Sequence, residues 1–380
     1  MKKSLHPAWK VIRVFLSSLL VGYLLPTSAL AQAVPAPEKP ASRELRDGQH
    51  DFDFNLGVWH THVRRIADPF SQTSSFTELD GTVTVRKVWG GKAQLEEIEA
   101  DGAKGHWEGL TLFLYNPEAK EWSQNYVNGK SGVLDPPLIG SFKDGRGELI
   151  SQDTFQNKTV LVKGVWSEIK PDSHHFDEYI SRDGGETWSR AFIAVLTRVQ
   201  TTPTASAPDP GTNAAKIVDP KDPQHAFDWD IGTWDIHMMR LAHPLTGSKT
   251  WNPMNGTTVN SKIWGGRANI AEVKASGPTG ELELLALRLF NPDTQEWTTS
   301  FATSKVGILN PPTGRPTVGT VENGRLTFYD QEPYDGRTIL VRFRIGPVSA
   351  DSAESEQAFS DDGGKTWETN WINKYAEVKK

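Results

Sequence analysis

No cysteine occurs among the 380 residues. That excludes a disulfide framework, thiolate chemistry and lipoprotein acylation, so packing alone must hold the fold. Basic charge is also scarce, with 41 Lys and Arg against 47 Asp and Glu for a formal charge of −6. Four positive charges, Lys2, Lys3, Lys10 and Arg13, lie in the first 31 residues, which contain no acid. The remainder therefore carries −10. No basic excess is left to follow a phosphate backbone, so nucleic acid is not an expected partner. No glycine-rich phosphate loop, Gly-x-Ser-x-Gly elbow or His-Glu-x-x-His occurs, and no cofactor is expected.

Only one apolar run stands out, VFLSSLLVGYLL at 14–25, after the basic amino terminus and before SALA at 28–31. It is too short for a stable span. Basic region, apolar core and small-x-small site together read as a secretory signal over 1–31. The expected protein is exported to a bacterial periplasm or exterior and does not span the membrane once the signal is cleaved. An uncleaved anchor is the alternative.

What is present is written twice. FDFNLGVW at 52–59 returns as FDWDIGTW at 227–234, and VWGGK at 88–92 as IWGGR at 263–267. YNPEAKEW at 115–122 returns as FNPDTQEW at 290–297, and LDPP at 134–137 as LNPP at 309–312. These pairs share an offset of 175 residues. Past the diprolines the offset is 179, a net four-residue insertion near 313–316. Shared spacing over a domain length indicates two copies of one fold. TTPTASAPDPGTNAAKIVDPKD at 201–222 reads as a semi-stiff linker. The expected organisation is a signal (1–31), a disordered leader (32–48), one domain over 49–199, a linker over 200–223 and a second domain over 224–378.

Within a copy, short apolar runs are broken every eight to twelve residues by turn signals, the pattern of antiparallel β in a sandwich or barrel. Trp59, Thr61, Val63 and Arg65 share one strand face, and His60, His62 and Arg64 the other. In the second copy Trp234, Ile236, Met238 and Arg240 form the corresponding face, mostly apolar and so expected inward.

The opening F-D-x-x-x-G-x-W with the later D-G-G-x-T-W resembles a bacterial domain family of unknown function. Its Gly57-x-Trp59 and Gly232-x-Trp234 are similar to the signature of lipocalins and other calycins. The resemblance implies two tandem calycin-like antiparallel β-barrels of eight to ten strands. The lipocalin relationship implies a ligand cavity. No established reaction comes with either.

SRDGGETW at 181–188 and SDDGGKTW at 360–367 resemble the Asp-box of sialidases and related β-propellers. A propeller would repeat the box once per blade, whereas here it occurs once per domain before the closing strand. Asp183 and Asp362 are read as turn acceptors and Trp188 and Trp367 as hairpin packing. Arg65 with Glu97, and Arg240 with Glu272, are candidate inward pairs that either seal a barrel end or bind a polar head group. Gln152 and Gln331 could join the same pockets. His60 and His62 are weak metal candidates on the face opposite Trp59, with no third ligand, so no metal site is expected. Of the 14 Trp, the unmatched Trp107, Trp166, Trp251 and Trp371 are candidates for an exposed stacking platform.

Three functions follow from this reading. The leading one is binding of a small, partly apolar ligand in the barrels, without catalysis. The others are a barrel-based hydrolase, isomerase or lyase using Glu97 or Glu272 on a carbohydrate or small hydrophobic substrate, and a cell-envelope interaction module. The oligomeric state is unspecified. Intact-mass measurement of exported protein is expected to give a chain beginning at Gln32, whereas the full-length mass would establish the uncleaved anchor.

Overall fold

The computed structural model describes residues 46–199, 221–310 and 313–378. The signal segment, most of the leader and nearly all of the linker lie outside the described residues. In the first copy β1 (Gly57–Ile66), β2 (Phe76–Val88), β3 (Ala93–Gly102), β4 (Gly105–Asn116) and β5 (Glu121–Asn128) come first. They are followed by β6 (Leu138–Lys143), β7 (Arg146–Phe155), β8 (Lys158–Lys170), β9 (Ser173–Ser181) and β10 (Ser189–Arg198). Each strand pairs antiparallel with its successor, and β10 returns to β1 to close a barrel. Closure leaves no free sheet edge.

The second copy repeats this order with β11 (Gly232–Leu241), β12 (Trp251–Ile263), β13 (Ala268–Gly277), β14 (Gly280–Asn291) and β15 (Glu296–Thr303). It continues through β16 (Thr317–Glu322), β17 (Arg325–Tyr334), β18 (Arg337–Ser349), β19 (Ser352–Ser360) and β20 (Glu368–Glu377). β20 closes on β11. The chain is therefore all-β, with two closed ten-stranded antiparallel barrels in tandem.

One end of the first barrel is plugged. A short 3-10 turn at Asp53–Asn55 precedes β1. Trp59 donates its indole N–H to the Asn55 carbonyl at 2.7 Å. Arg198, from the closing strand, stacks on that indole at 3.9 Å and donates to the carbonyls of Leu56 and Phe54. Phe52 sits 4.6 Å from Phe113 and edge-on to Trp122 and Trp166, so aromatic rings fill this end. In the second barrel Trp234 donates to Asp230 in the same way. The cation there is Arg288, buried against the Asp230 carboxylate and over the Phe227 ring.

The barrels also pack against each other within one compact unit. Leu95, Leu110, Leu112 and Leu114 meet Ile270, Leu285, Leu287 and Leu289 in a single buried cluster. These strands are thus buried on both faces. That explains why LTLFLY at 110–115 and LELLALRLF at 282–290 are nearly continuous apolar runs rather than alternating ones. The seam has pseudo-two-fold symmetry. Lys92 pairs with Glu283 at 2.9 Å, and the equivalent Arg267 pairs with Glu108 at 2.5 Å. Such reciprocity is the mark of an isologous interface.

Glycine is required at two matched places in this seam. A Cβ on Gly132 would lie 2.0 Å from the Phe290 carbonyl oxygen, and one on Gly307 1.8 Å from that of Tyr115, with φ of +61° and +62°. Gly307→Ala is expected to destabilise the protein by about 3 kcal/mol in urea unfolding, since an unfavourable φ adds to a backbone clash. Gly336→Ala, at a similar φ in open space, should cost about 1–2 kcal/mol.

Candidate functional site

Above its aromatic plug the first barrel encloses a cavity of about 390 Å³. Strand alternation decides what faces it. β1 contributes Thr61 and Arg65, β3 contributes Glu96 and Ile98, β7 contributes Ser151 and Asp153, and β9 contributes Phe176 and Glu178. Asp135 arrives from the β5–β6 connection. There Leu134 bridges to Val127 and the Asp135 amide donates to the Tyr126 carbonyl at 2.9 Å, laying the loop along the barrel mouth. Trp107, Tyr126 and Phe192 supply aromatic wall.

Four carboxyl groups thus share the lumen with one guanidinium, and they differ in their partners. Glu96 accepts from Asn55 Nδ2 at 3.0 Å and from Thr111 Oγ1 at 3.1 Å, while burial pushes its pKa up. Asp153 accepts its neighbour's amide at 2.6 Å. Among the described residues, the Asp135 and Glu178 carboxyl groups have neither a hydrogen-bond donor nor an ion-pair partner. Register explains why Arg65 does not answer them. Arg65 lies opposite Phe192, which lies opposite Glu178, so a phenyl ring stands between the two charges. The Arg65 guanidinium instead lies 5.6 Å from the Trp107 ring.

The second lumen is smaller, about 250 Å³. The duplication pairs Asp135 with Asn310 and Glu178 with Gln357. Both amides line the second cavity, and both are bonded to protein. Asn310 donates to Ser300 Oγ at 3.1 Å and Gln357 to Asn370 Oδ1 at 3.0 Å. Arg315, from the segment with no counterpart in the first copy, also lines this cavity.

The other sequence candidates fall elsewhere. Arg240 is exposed at the second barrel's rim, 4.4 Å from the Trp371 ring. Glu97 and Glu272 do not point inward and form no pair with Arg65 or Arg240. They alternate with the lumen residues Glu96 and Ala271 and therefore face outward; Glu272 accepts the Trp89 amide across the seam. Leu95 and Ile270, two residues before them on the same strand face, are buried in the seam. Burial raises the Glu97 pKa, partly offset by Arg86. Gln152 and Gln331 are exposed on the outer walls. Trp107 and Trp166 are buried inside the first barrel rather than forming an external platform, Trp371 lines the second lumen, and Trp251 is half-buried.

His60 and His62 flank Asp80 on the outer wall at 3.8 and 3.0 Å. Among the described residues no group of three or more His, Asp or Glu side chains is arranged to hold a metal ion. The Asp183 carboxylate accepts from the Thr187 amide at 2.9 Å and from the Ser181 and Thr187 hydroxyls, which hold its pKa down at about 2. Asp362 repeats this geometry, and its pKa is likewise depressed, first by the Thr366 amide. Trp188 and Trp367 are half-buried, with Lys163 and Arg342 over their rings.

No protein-family model and no curated protein matches the chain. Among solved structures, an S-type phycobiliprotein lyase from Guillardia theta aligns over 40% of this chain and 91% of its own, at 11% identity and a TM-score of 0.30. A protein of unknown function of the DUF3598 family from Nostoc punctiforme aligns over 88% and 100%, at 11% identity and a TM-score of 0.26. At these scores neither likeness bears on function, and the architecture rests on the strand pairing described above.

Desolvation, with smaller contributions from Asp135 and Asp153, pushes Glu178 up to about 7. Desolvation and Asp153 push Asp135 up to about 6. Tyr126, raised to about 12 mainly by burial, stays neutral between them. A carboxyl whose folded pKa lies above its unfolded value binds more protons when folded, so it disfavours folding as pH rises from the unfolded to the folded value. For Glu178 that window runs from about 4.5 to about 7. Glu178→Gln is therefore expected to stabilise the ligand-free protein at pH 8 by on the order of 1–3 kcal/mol, and to have little effect at pH 4.5, in urea unfolding at both pH values.

Proposed function

We propose that this is an exported tandem of calycin-like barrels, of the bacterial domain family of unknown function that its motifs resemble, and that it binds a small, partly apolar ligand in its first lumen. The observation that carries this reading is the 390 Å³ cavity, closed below by the plug and lined by Trp107, Phe176 and Phe192 together with unpaired polar groups. Its size lies in the usual range for small-molecule sites, whereas the second cavity at 250 Å³ falls below it. Head-group contacts open to a ligand seated against these rings are Arg65, at the end of β1, and the carboxyl groups of Asp135 and Glu178.

A catalytic reading draws support from one observation. Glu178 and Asp135, unpaired and raised toward neutral pH, have the protonation behaviour of a general acid or base in an accessible lumen. In that reading these two residues take the part that the sequence suggested for Glu97 and Glu272. An envelope module gains less support. The exposed apolar side chains include matched cross-strand pairs, Ile139 with Ile150 and Val318 with Tyr329, each much smaller than an ordinary docking patch.

Native mass spectrometry of protein released directly from the periplasm is expected to show a retained small molecule. Arg65→Ala should leave its occupancy unchanged or raised, with the circular dichroism spectrum unchanged, whereas a several-fold fall would assign the head group to Arg65. A bare mass for the wild type would count against binding, and a chemically altered molecule after incubation would favour catalysis.

A further inference from the structure

We propose that the first lumen is a site for an organic cation, a protonated amine or quaternary ammonium on a partly apolar body, and that the second barrel lacks this site. This rests on the reading that the first lumen binds a ligand. Three independent observations carry it.

The first is charge without partners. Glu178 lies inside the barrel and lines the cavity, yet among the described residues nothing donates to it. Asp135 opens on the same space, and Asp153 adds a third carboxylate. Arg65 is held off by Phe192 and directed to Trp107. Glu178 is half-buried and Asp135 is exposed toward the mouth, so both are open to a cation entering the lumen, a partner that the protein itself does not supply.

The second is the wall. Trp107, Tyr126, Phe176 and Phe192 line the same cavity. Ring faces carry negative potential and attract alkylammonium groups while accommodating their carbon substituents. Carboxylates set among such rings form a lumen that favours positive charge and apolar surface in one ligand.

The third is the second copy, an internal control built on the same fold. Its Asn310 and Gln357 keep the shapes of Asp135 and Glu178 but carry no charge, and both are tied to protein groups. Gln357 bonds to Asn370, whose counterpart in the first copy is Ala191. The barrel thus closes with neutral, satisfied amides at these positions, so folding does not require the carboxyl groups of the first copy. Arg315 adds a positive charge to the second lumen, with Asp330 and Glu332 beside it. Arg288 is spent on Asp230, so the second lumen keeps an excess of one negative charge, against three where Arg65 faces four carboxyl groups in the first.

The test uses the mature protein at pH 8 and three probes of one shape, namely 3-phenylpropylamine, 3-phenylpropanol and 3-phenylpropanoate. Calorimetry gives the affinities, and the indole resonances of Trp107 and Trp371, assigned through single Trp→Phe variants, report which lumen is filled. The amine is expected to bind at least tenfold more tightly than the alcohol, with the carboxylate weakest, and to shift Trp107 while leaving Trp371 in place. The double variant Asp135→Asn, Glu178→Gln, which copies the second barrel, should lose the preference for amine and retain alcohol binding. Glu118→Gln with Glu186→Gln, both exposed and outside the lumen, makes the same change in net charge and should change neither.

Equal affinity for amine and alcohol, with Trp107 shifted, would overturn the cation assignment and leave the binding reading standing. Tightest binding of the carboxylate would overturn it in favour of Arg65. A Trp371 shift at the same amine affinity would overturn the distinction between barrels. No probe shifting Trp107 at all would remove the binding reading itself. Should the double variant fail to fold, loss of the amine preference in Glu178→Gln alone decides the same question.

Discussion

Trp59, with its indole N–H on the Asn55 carbonyl and the Arg198 guanidinium on its face, fixes one end of the first barrel, and the lumen exists because that end is closed. A ten-stranded barrel is too wide for aliphatic side chains alone to fill. Phe52, Phe113, Trp122 and Trp166 occupy the plugged end edge-to-face, and His174 joins them as a ring. Burial pushes the His174 pKa down to about 3, so it stays neutral. Above the plug the wall still carries the rings of Trp107, Tyr126, Phe176 and Phe192, and the remaining positions need only line the space. There the chain places small and polar side chains, Thr61, Thr111 and Ser151, with the carboxyl groups among them.

The seam imposes a second constraint. Burying β4 and β14 on both faces joins the barrels along one side, so functional side chains on those strands can only be the inward ones. This separates Glu96 from Glu97 and Ala271 from Glu272, neighbours in sequence with different fates. Glu272 serves the join by accepting an amide from the other barrel. The matched pairs Lys92–Glu283 and Arg267–Glu108 sit on the surface and contribute modestly on their own. Their value lies in fixing which faces meet, while the leucine and isoleucine cluster supplies most of the stabilisation.

Much of the fold was legible in the sequence and much of the site was not, for physical reasons. Turn spacing, the repeated Gly-x-Trp and the alternation of Trp59, Thr61, Val63 and Arg65 are local signals, and they indicated antiparallel barrels. The seam was visible only as a break in alternation at LTLFLY, a pattern that a strand inside a thick core shares. Expecting Glu97 and Glu272 inward therefore missed the lumen face by a single position, the whole cost of a period-two error. Asp135 and Glu178 lie far apart in sequence in unremarkable contexts, LDPP and FDEYIS. The available signal was the exchange of acid for amide between the copies, which needs the two copies compared position by position rather than searched for shared motifs.

The two barrels thus share a backbone and differ in the chemistry of their interiors, the first keeping carboxyl groups at two positions, Asp135 and Glu178, where the second has bonded amides. The central claim is that Glu178 is a half-buried acid without a partner, its pKa raised by desolvation. Carbon-13 NMR of side-chain carboxyl groups in the ligand-free protein, with Glu178 assigned by its loss in Glu178→Gln, tests it most directly. The account predicts that the Glu178 carboxyl titrates with a midpoint of about 7. A Glu178 midpoint near the ordinary glutamate value of about 4.3 would contradict it.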